Sequence, residues 1–406
     1  MTMRYPIRLI SSREKGSFAR YLAEAGVDPH GIRIIEKKAD LLILRVDRVS
    51  APAANILKQQ LLSIGGDAAV HREVITGNPS LSSVHIIADR GRLAQLPAKL
   101  ARQPFGLTEL GSGIERLLEA VERPPANISL PSGAIDLTAG PIVAGVLNVT
   151  PDSFSDGGAF LDPGRALEKA AAMIEEGAGI LDIGGESTRP GAAEVDAAEE
   201  LSRVMPVLGR LAGTVTIPIS IDTRKATVAR AAMEAGAAII NDVSGLRHDP
   251  AMVETAVATR AAVAVMHMQG IPESMQRDPR YEDPTSEIIA WFEERTGELM
   301  RAGIDPAKII IDPGIGFGKR LKDNLCIIAE IGDFRGLGFP VMIGYSRKSF
   351  IGTITGRGAS GRLAGGLAAL AKCLAGGVGI VRVHDVKETV DFIKVWNAIE
   401  QKGSGT

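Results

Sequence analysis

Short apolar, β-branched runs alternate eight times with longer amphipathic stretches rich in Ala, Leu and Glu, and few folds tolerate that rhythm. The runs are Pro141–Leu147, Gly179–Gly184, Val215–Ile221, Ala237–Asp242, Ala262–Met266, Lys308–Pro313, Pro340–Gly344 and Gly379–Val383. The stretches read as helices over Arg165–Glu176, Glu194–Leu211, Arg224–Ala235, Ala251–Ala258, Ser286–Ala302, Leu321–Ile331, Arg362–Ala375 and Lys387–Ile399. Strands separated by helices pair in parallel through right-handed crossovers. Eight such units have the size of a TIM barrel, which is the expected α/β fold class. A doubly wound open sheet is the alternative. It usually has fewer strands and a G-x-G-x-x-G after the first, which this chain lacks.

The residues before this array behave differently. Leu41–Val49, Ala69–Ile75 and Ser83–Ala88 read as strands, and Ala53–Ile64, Leu93–Arg102 and Ile114–Val121 as helices. The expectation is a smaller α+β domain over residues 1–125, a proline-rich linker over 126–136, and the barrel over 137–402. His30, His71 and His85 lack metal-ligand spacing, so surface or packing roles are expected of them.

No apolar run approaches the roughly 20 residues needed to cross a bilayer, and Met1-Thr-Met-Arg-Tyr-Pro6 lacks a secretory apolar core. A net charge of −2 and 4% aromatics give neither a basic field nor stacking platforms for nucleic acid. Cys326 and Cys373 lie in helical apolar patterns and are expected as buried free thiols. A cytoplasmic protein with no nucleic-acid or membrane partner is the reading.

Chemistry-bearing residues gather where the strands stop. After the first, Gly145-Val-Leu-Asn-Val-Thr-Pro-Asp-Ser-Phe-Ser-Asp-Gly-Gly158 carries an amide, two acids, three hydroxyls and an aromatic. Later strands end in Asp182-Ile-Gly-Gly-Glu-Ser-Thr-Arg-Pro-Gly191, Ser220-Ile-Asp-Thr-Arg224, Asn241-Asp-Val-Ser-Gly245 and Met266-His-Met-Gln-Gly270. The last three end in Asp312-Pro-Gly-Ile-Gly-Phe-Gly-Lys319, Gly344-Tyr-Ser-Arg-Lys-Ser349 and Val381-Arg-Val-His-Asp385. Taken singly, an Asp before Pro is a turn former, and Asp or Ser at a strand-to-helix junction is a cap. Capping does not require Asp222, Asn241 and Asp312 at three strand ends with Lys348 at a fourth.

Carboxylates and an amide facing inward suit a flat heterocycle with ring N–H and amino groups. Arg189, Arg382, His384 and Lys348 form a cationic set suited to phosphate, next to the amides at the start of the last helix. Asn148 and Asp152 are oxygen ligands of the kind Mg²⁺ uses when it bridges phosphates. A nitrogen heterocycle beside a metal-bound diphosphate is the inferred substrate.

The motifs Asn148 to Gly158, Gly184-Gly-Glu-Ser-Thr-Arg-Pro-Gly191, Asp312 to Lys319, Ser346-Arg-Lys-Ser349 and Arg382-Val-His-Asp-Val386 stand in an order that resembles the dihydropteroate synthase family, from Leu137 to Ala398. The resemblance implies a transferase of folate biosynthesis. It would condense (7,8-dihydropterin-6-yl)methyl diphosphate with p-aminobenzoate to 7,8-dihydropteroate and diphosphate, and would be a sulfonamide target. It implies a pterin pocket of Asp222, Asn241, Asp312 and Lys348, lined by Met266 and Phe317. Diphosphate would meet Asn148, Arg189, Arg382 and His384, with Mg²⁺ at Asn148. The p-aminobenzoate would lie among Thr188, Pro190, Lys348 and Ser349, under Phe154. Asp222, Lys348, Arg382 and His384 would carry catalysis, in a homodimer.

Two rival readings make different demands on these residues. A pterin-binding methyltransferase barrel needs no diphosphate site, so Ser346-Arg-Lys348 and Arg382-Val-His384 argue against it. A non-catalytic pterin-binding paralogue would be expected to lose residues of the first two loops, which are intact. Some relatives are fused to hydroxymethyldihydropterin pyrophosphokinase or dihydroneopterin aldolase. Residues 1–130 carry no convincing pattern of either, and neither activity is assigned to them.

Overall fold

The computed structural model describes residues 19, 22–23, 25–150, 163–187 and 194–404. The chain divides into two compact units, one running to Glu122 and including the chain end from Asn397, the other Arg123–Trp396.

In the first unit, β-branched and leucine runs make three antiparallel strands, β1 (Leu41–Ser50), β2 (Asp67–Ala69) and β3 (Leu81–Asp89), in the order β1-β3-β2. Alternation along β1 and β3 buries Val84, Ile86 and Ala88 against Leu57 and Leu61 of helix Ala51–Ser63, together with Leu93, Leu96 and Leu100. Ser50 and a proline in the first turn start that helix. Two expectations fail here, and one helix was not expected. The strand placed over Ala69–Ile75 stops at Ala69, because polar His71-Arg72-Glu73 breaks the alternation and Val74–Thr76 turns as a 3₁₀ helix. The helix placed over Leu93–Arg102 is two short ones, Arg90–Leu93 and Leu96–Leu100, the second opening on Pro97 in its first turn. A helix at Pro29–Ala39, capped by Asp28, went unread.

The second unit begins where a linker was expected. Instead Asn127–Ser129 (β4) and Ala134–Asp136 (β5) pair as an antiparallel hairpin. Its Ile128 and Ile135 are buried among Ile180, Ile239, Ile310 and Ile380, so the hairpin floors the barrel at the strands' N-terminal ends. Two isoleucines taken from water explain why a proline-rich segment is ordered: burying each contributes ~1.5–3 kcal/mol.

Above that floor run eight parallel strands: β6 (Ile142–Asn148), β7 (Ile180–Gly184), β8 (Ile219–Asp222), β9 (Ile239–Asp242), β10 (Ala262–Met266), β11 (Ile309–Asp312), β12 (Met342–Ile343) and β13 (Ile380–Val383). The sheet order is β11-β10-β9-β8-β7-β6-β13-β12, and a parallel bridge from Ile311 to Val341 links its two ends. This is the (β/α)₈ barrel expected from the rhythm of the sequence. The helices bury one face each against its outside. Among the described residues no helix is long and apolar enough to cross a membrane. Cys326 and Cys373 are free thiols; Cys373 is buried as expected, but Cys326 is only partly so.

Candidate active site

Side chains alternate along a strand, so residues two apart share a face. Inside the barrel this stacks Ile180 under Asp182, Ser220 under Asp222, Ile239 under Asn241, Ile310 under Asp312 and Ile380 under Arg382. The register pairs Asn148 with Gly184, Gly184 with Asp222, and Asp222 with Asn241, giving one row across four strands. An apolar floor therefore carries a polar mouth at the C-terminal ends of the strands, where barrel enzymes hold their chemistry.

Arg382 organises that mouth. Its Nε donates to Asp182 Oδ2 and its Nη2 to Asp222 Oδ2, each at 2.6 Å. Asp182 also accepts from Asn241 Nδ2, at 3.2 Å to Oδ2. Burial pushes the Asp222 carboxyl above the ordinary carboxylate range, with Arg382 opposing it and Asp182 adding to it. Asp222 Oδ1 is buried with no hydrogen-bond partner among the described residues. An orphaned buried carboxylate oxygen calls for a donor from a ligand.

Asp312 is buried at the end of β11 and accepts from Gly314 N–H at 2.7 Å. Burial raises its pKa, against the pull of Lys348, Arg382 and Lys319. Met266 packs with Val243, Met275 and Phe317 to form an apolar wall beside it. Lys348 precedes helix Ser349–Thr355, and its ammonium lies 4.0 Å from the centre of the Phe317 ring. Its stem crosses Gly316, where an added Cβ would stand 3.2 Å from Lys348 Cδ and where φ is +81°. Ser349 is exposed at that helix's start.

His384 directly follows β13, and its backbone N–H donates to Ser346 Oγ at 3.2 Å. Its ring Nδ1 lies 3.2 Å from the same hydroxyl. Burial and then Arg382 hold this imidazole down to about 3, so His384 is neutral at pH 7. Within the set suited to phosphate it therefore contributes a hydrogen bond. Arg382 keeps its charge despite burial, since Asp182 and Asp222 hold its pKa above the usual arginine value.

Asn148 lies half-buried at the end of β6. Thus Asn148, Asp222, Asn241, Met266, Asp312, Phe317, Lys348, Ser349, Arg382 and His384 are all placed at the strand ends or in the segments that leave them. Phe154, Thr188, Arg189 and Pro190, with Asp152, lie outside the described residues.

Three contributors went unsingled in the sequence. Asp182 could have been found by counting two residues on from Ile180. Lys319 is buried, and its Nζ lies 3.1 Å from His267 Nδ1. Glu186 binds Arg224 Nη2 at 3.1 Å and Lys225 Nζ at 2.8 Å and accepts from the Val195 N–H at 3.1 Å. Burial works against its charge, yet those donors hold its pKa below the usual value.

Residues 144–384 match the family model of pterin binding enzymes. The chain is similar to the dihydropteroate synthase of Escherichia coli K12, 46% identical over 258 residues that cover 64% of this chain and 91% of that protein. Among solved structures it is similar to Xanthomonas albilineans dihydropteroate synthase with 4-aminobenzoic acid. That match has a TM-score of 0.64 at 43% identity and covers 68% of this chain and 99% of the other. The same enzyme in complex with 7,8-dihydropteroate matches with a TM-score of 0.62 at 40% identity, covering 68% and 98%. A barrel with this polar mouth, and relatives matched over nearly their whole length, place the chain in the dihydropteroate synthase family of pterin-binding enzymes.

Proposed function

We propose that the family's condensation of a 7,8-dihydropterin methyl diphosphate with p-aminobenzoate runs in this chain on the residues around Asp222 and Arg382. The observation that carries the assignment is the partnerless Asp222 Oδ1, buried beside Asn241 and Asp182 in the polar row. A dihydropterin supplies the donors this oxygen lacks. Asn241 and Asp312 meet the remaining ring edge, Lys348 an acceptor, and Met266 and Phe317 the ring faces.

The C–O bond to diphosphate breaks first, and the bonding pair leaves with the diphosphate. Asp222, kept near the ring by Arg382, stabilises positive charge spreading into the pterin. The remaining N–H groups of Arg382, with Arg189, the neutral His384 and the amides opening helix Val386–Ser404, receive the diphosphate. The p-aminobenzoate nitrogen then forms the C–N bond and releases a proton, from a seat among Phe154, Thr188, Pro190, Lys348 and Ser349. No covalent enzyme intermediate is needed.

Mg²⁺ fits Asn148, whose amide oxygen is the hard donor this ion takes when phosphate and water fill the rest of its shell. Bound there, it would offset charge on the departing diphosphate. Exposed Leu321, Leu325 and Ile354 on helices Leu321–Ala329 and Ser349–Thr355 support assembly as a homodimer, which sedimentation would test. The reading is tested by diphosphate release: it should require both substrates, and release without p-aminobenzoate at the same rate would contradict it.

A further inference from the structure

We propose that Lys319 is a positioning residue for the pterin pocket, fixing from beneath the backbone that carries Phe317 and, through that ring, the seat of Lys348. This rests on the pterin assignment above.

Lys319 is 3% exposed and its ammonium is fully used. It donates to Phe317 O at 3.0 Å and His267 O at 3.2 Å, and lies 3.1 Å from His267 Nδ1. Three acceptors exhaust three N–H groups, so none remains for substrate. His267 can accept because burial, then the Lys319 charge, holds its ring unprotonated, down to about 2. That ring is fixed edge-on to Trp291, with centroids 5.0 Å apart. Burial works against the Lys319 charge, with the repulsion of Lys348, while Asp312 and Asp323 favour it and the three acceptors hold the ammonium.

The three bonds tie two segments together. The loop after β11 lies flat on the one that follows β10: an added Cβ would fall 2.1 Å from His267 O at Gly314 and 2.4 Å from Gln269 O at Gly318. Neutral donors hold the loop's flanks, Gln276 Nε2 to Gly316 O at 2.7 Å and Tyr281 Oη to Gly318 O at 3.0 Å. Between them Lys319 grips the carbonyl of Phe317, whose ring packs on Met266 and bears the Lys348 ammonium. Without the ammonium two buried carbonyls lose their donor, and the Phe317 peptide is free to turn.

The test is calorimetry on the full chain and on Lys319→Met, with 6-hydroxymethyl-7,8-dihydropterin as one probe and inorganic diphosphate as the other. The Kd for the dihydropterin should rise about tenfold to a hundredfold, the usual consequence of losing a charged hydrogen bond, while the Kd for diphosphate stays unchanged. Lys319→Gln, which keeps an amide donor, should fall between. An unchanged dihydropterin Kd, or equal losses for both probes, would overturn the inference. So would failure of both variants to fold, since Lys319 would then serve the whole barrel. If the unaltered protein binds diphosphate but no dihydropterin, the pterin reading itself fails and takes this inference with it.

Discussion

The two units use their interiors differently. In the first, the one buried polar or charged side chain among the described residues is Asp89, and its job is local: it caps the helix that follows by accepting from the Arg92 N–H. In the barrel unit Asp182, Asp222, Asn241, Asp312 and Lys319 are all buried together near the strand ends. Burying charge costs free energy unless it is paired. The described part of the first unit avoids that cost, whereas the barrel unit accepts it, as a site for a polar heterocycle would. Placement of buried charge, more than fold, distinguishes the barrel unit from the first among the described residues.

The sharpest way to break this contrast is to remove a buried charge from the mouth. Asp222→Asn should fold and lose on the order of a hundredfold or more in kcat, as loss of one preorganised charge does. Near-normal kcat would remove Asp222 from the mechanism. Asp182→Asn is expected to cost less, about tenfold in kcat/KM, because Arg382 keeps Asp222 but loses its second carboxylate. An effect on p-aminobenzoate KM alone would show that Asp182 does not act through Arg382.

The pH profile sharpens the same point. Asp222 must be ionised to stabilise the pterin cation, and burial raises its pKa in the folded protein. Activity should therefore fall as pH drops through a value above the ordinary carboxylate range. His384, held down to about 3, is neutral throughout that window. His384→Gln should thus lower kcat/KM by about tenfold through one lost hydrogen bond without moving the acid limb. A limb that disappears in that variant would assign it to the imidazole instead.

A smaller effect is expected on binding order. On the proposed reading p-aminobenzoate binds beside the diphosphate, so the amine should bind weakly alone and more tightly once diphosphate or the pterin substrate is present. Calorimetry giving equal affinity in all conditions would count against ordered binding.

Much of this was legible from the residues, for physical reasons that also explain the failures. Strand rhythm and polar endings located eight strands and the mouth, because a parallel barrel strand must be apolar through its length and change character where it meets solvent. Boundaries drifted where that change is gradual: Val215–Ile221 was read as a strand, but the ladder begins at Ile219 after the turn at Gly213. Asp182 was missed because its motif draws attention to the loop beyond it. Lys319 was missed because a lysine after glycine reads as solvent-exposed until three acceptors are found around it. The hairpin over 126–136 was hidden by its prolines, and only the isoleucines facing the floor give it away. In the first unit, Ala69–Ile75 had the composition of a strand without the alternation.

The central claim is that the barrel unit holds the whole reaction and the first unit none of it, and the smallest expected effect tests it most directly. A chain beginning at Ala126 keeps the Ile128 and Ile135 floor and every described site residue from Asn148 to His384. Its kcat/KM for dihydropteroate synthesis, measured alongside circular dichroism and solubility, should match the full chain within about twofold, a difference of roughly 0.4 kcal/mol. Aggregation of the shortened chain would mean that the first unit shields apolar surface. A soluble, folded, monodisperse but inactive chain would contradict the account, because the site would then be shared between the two units.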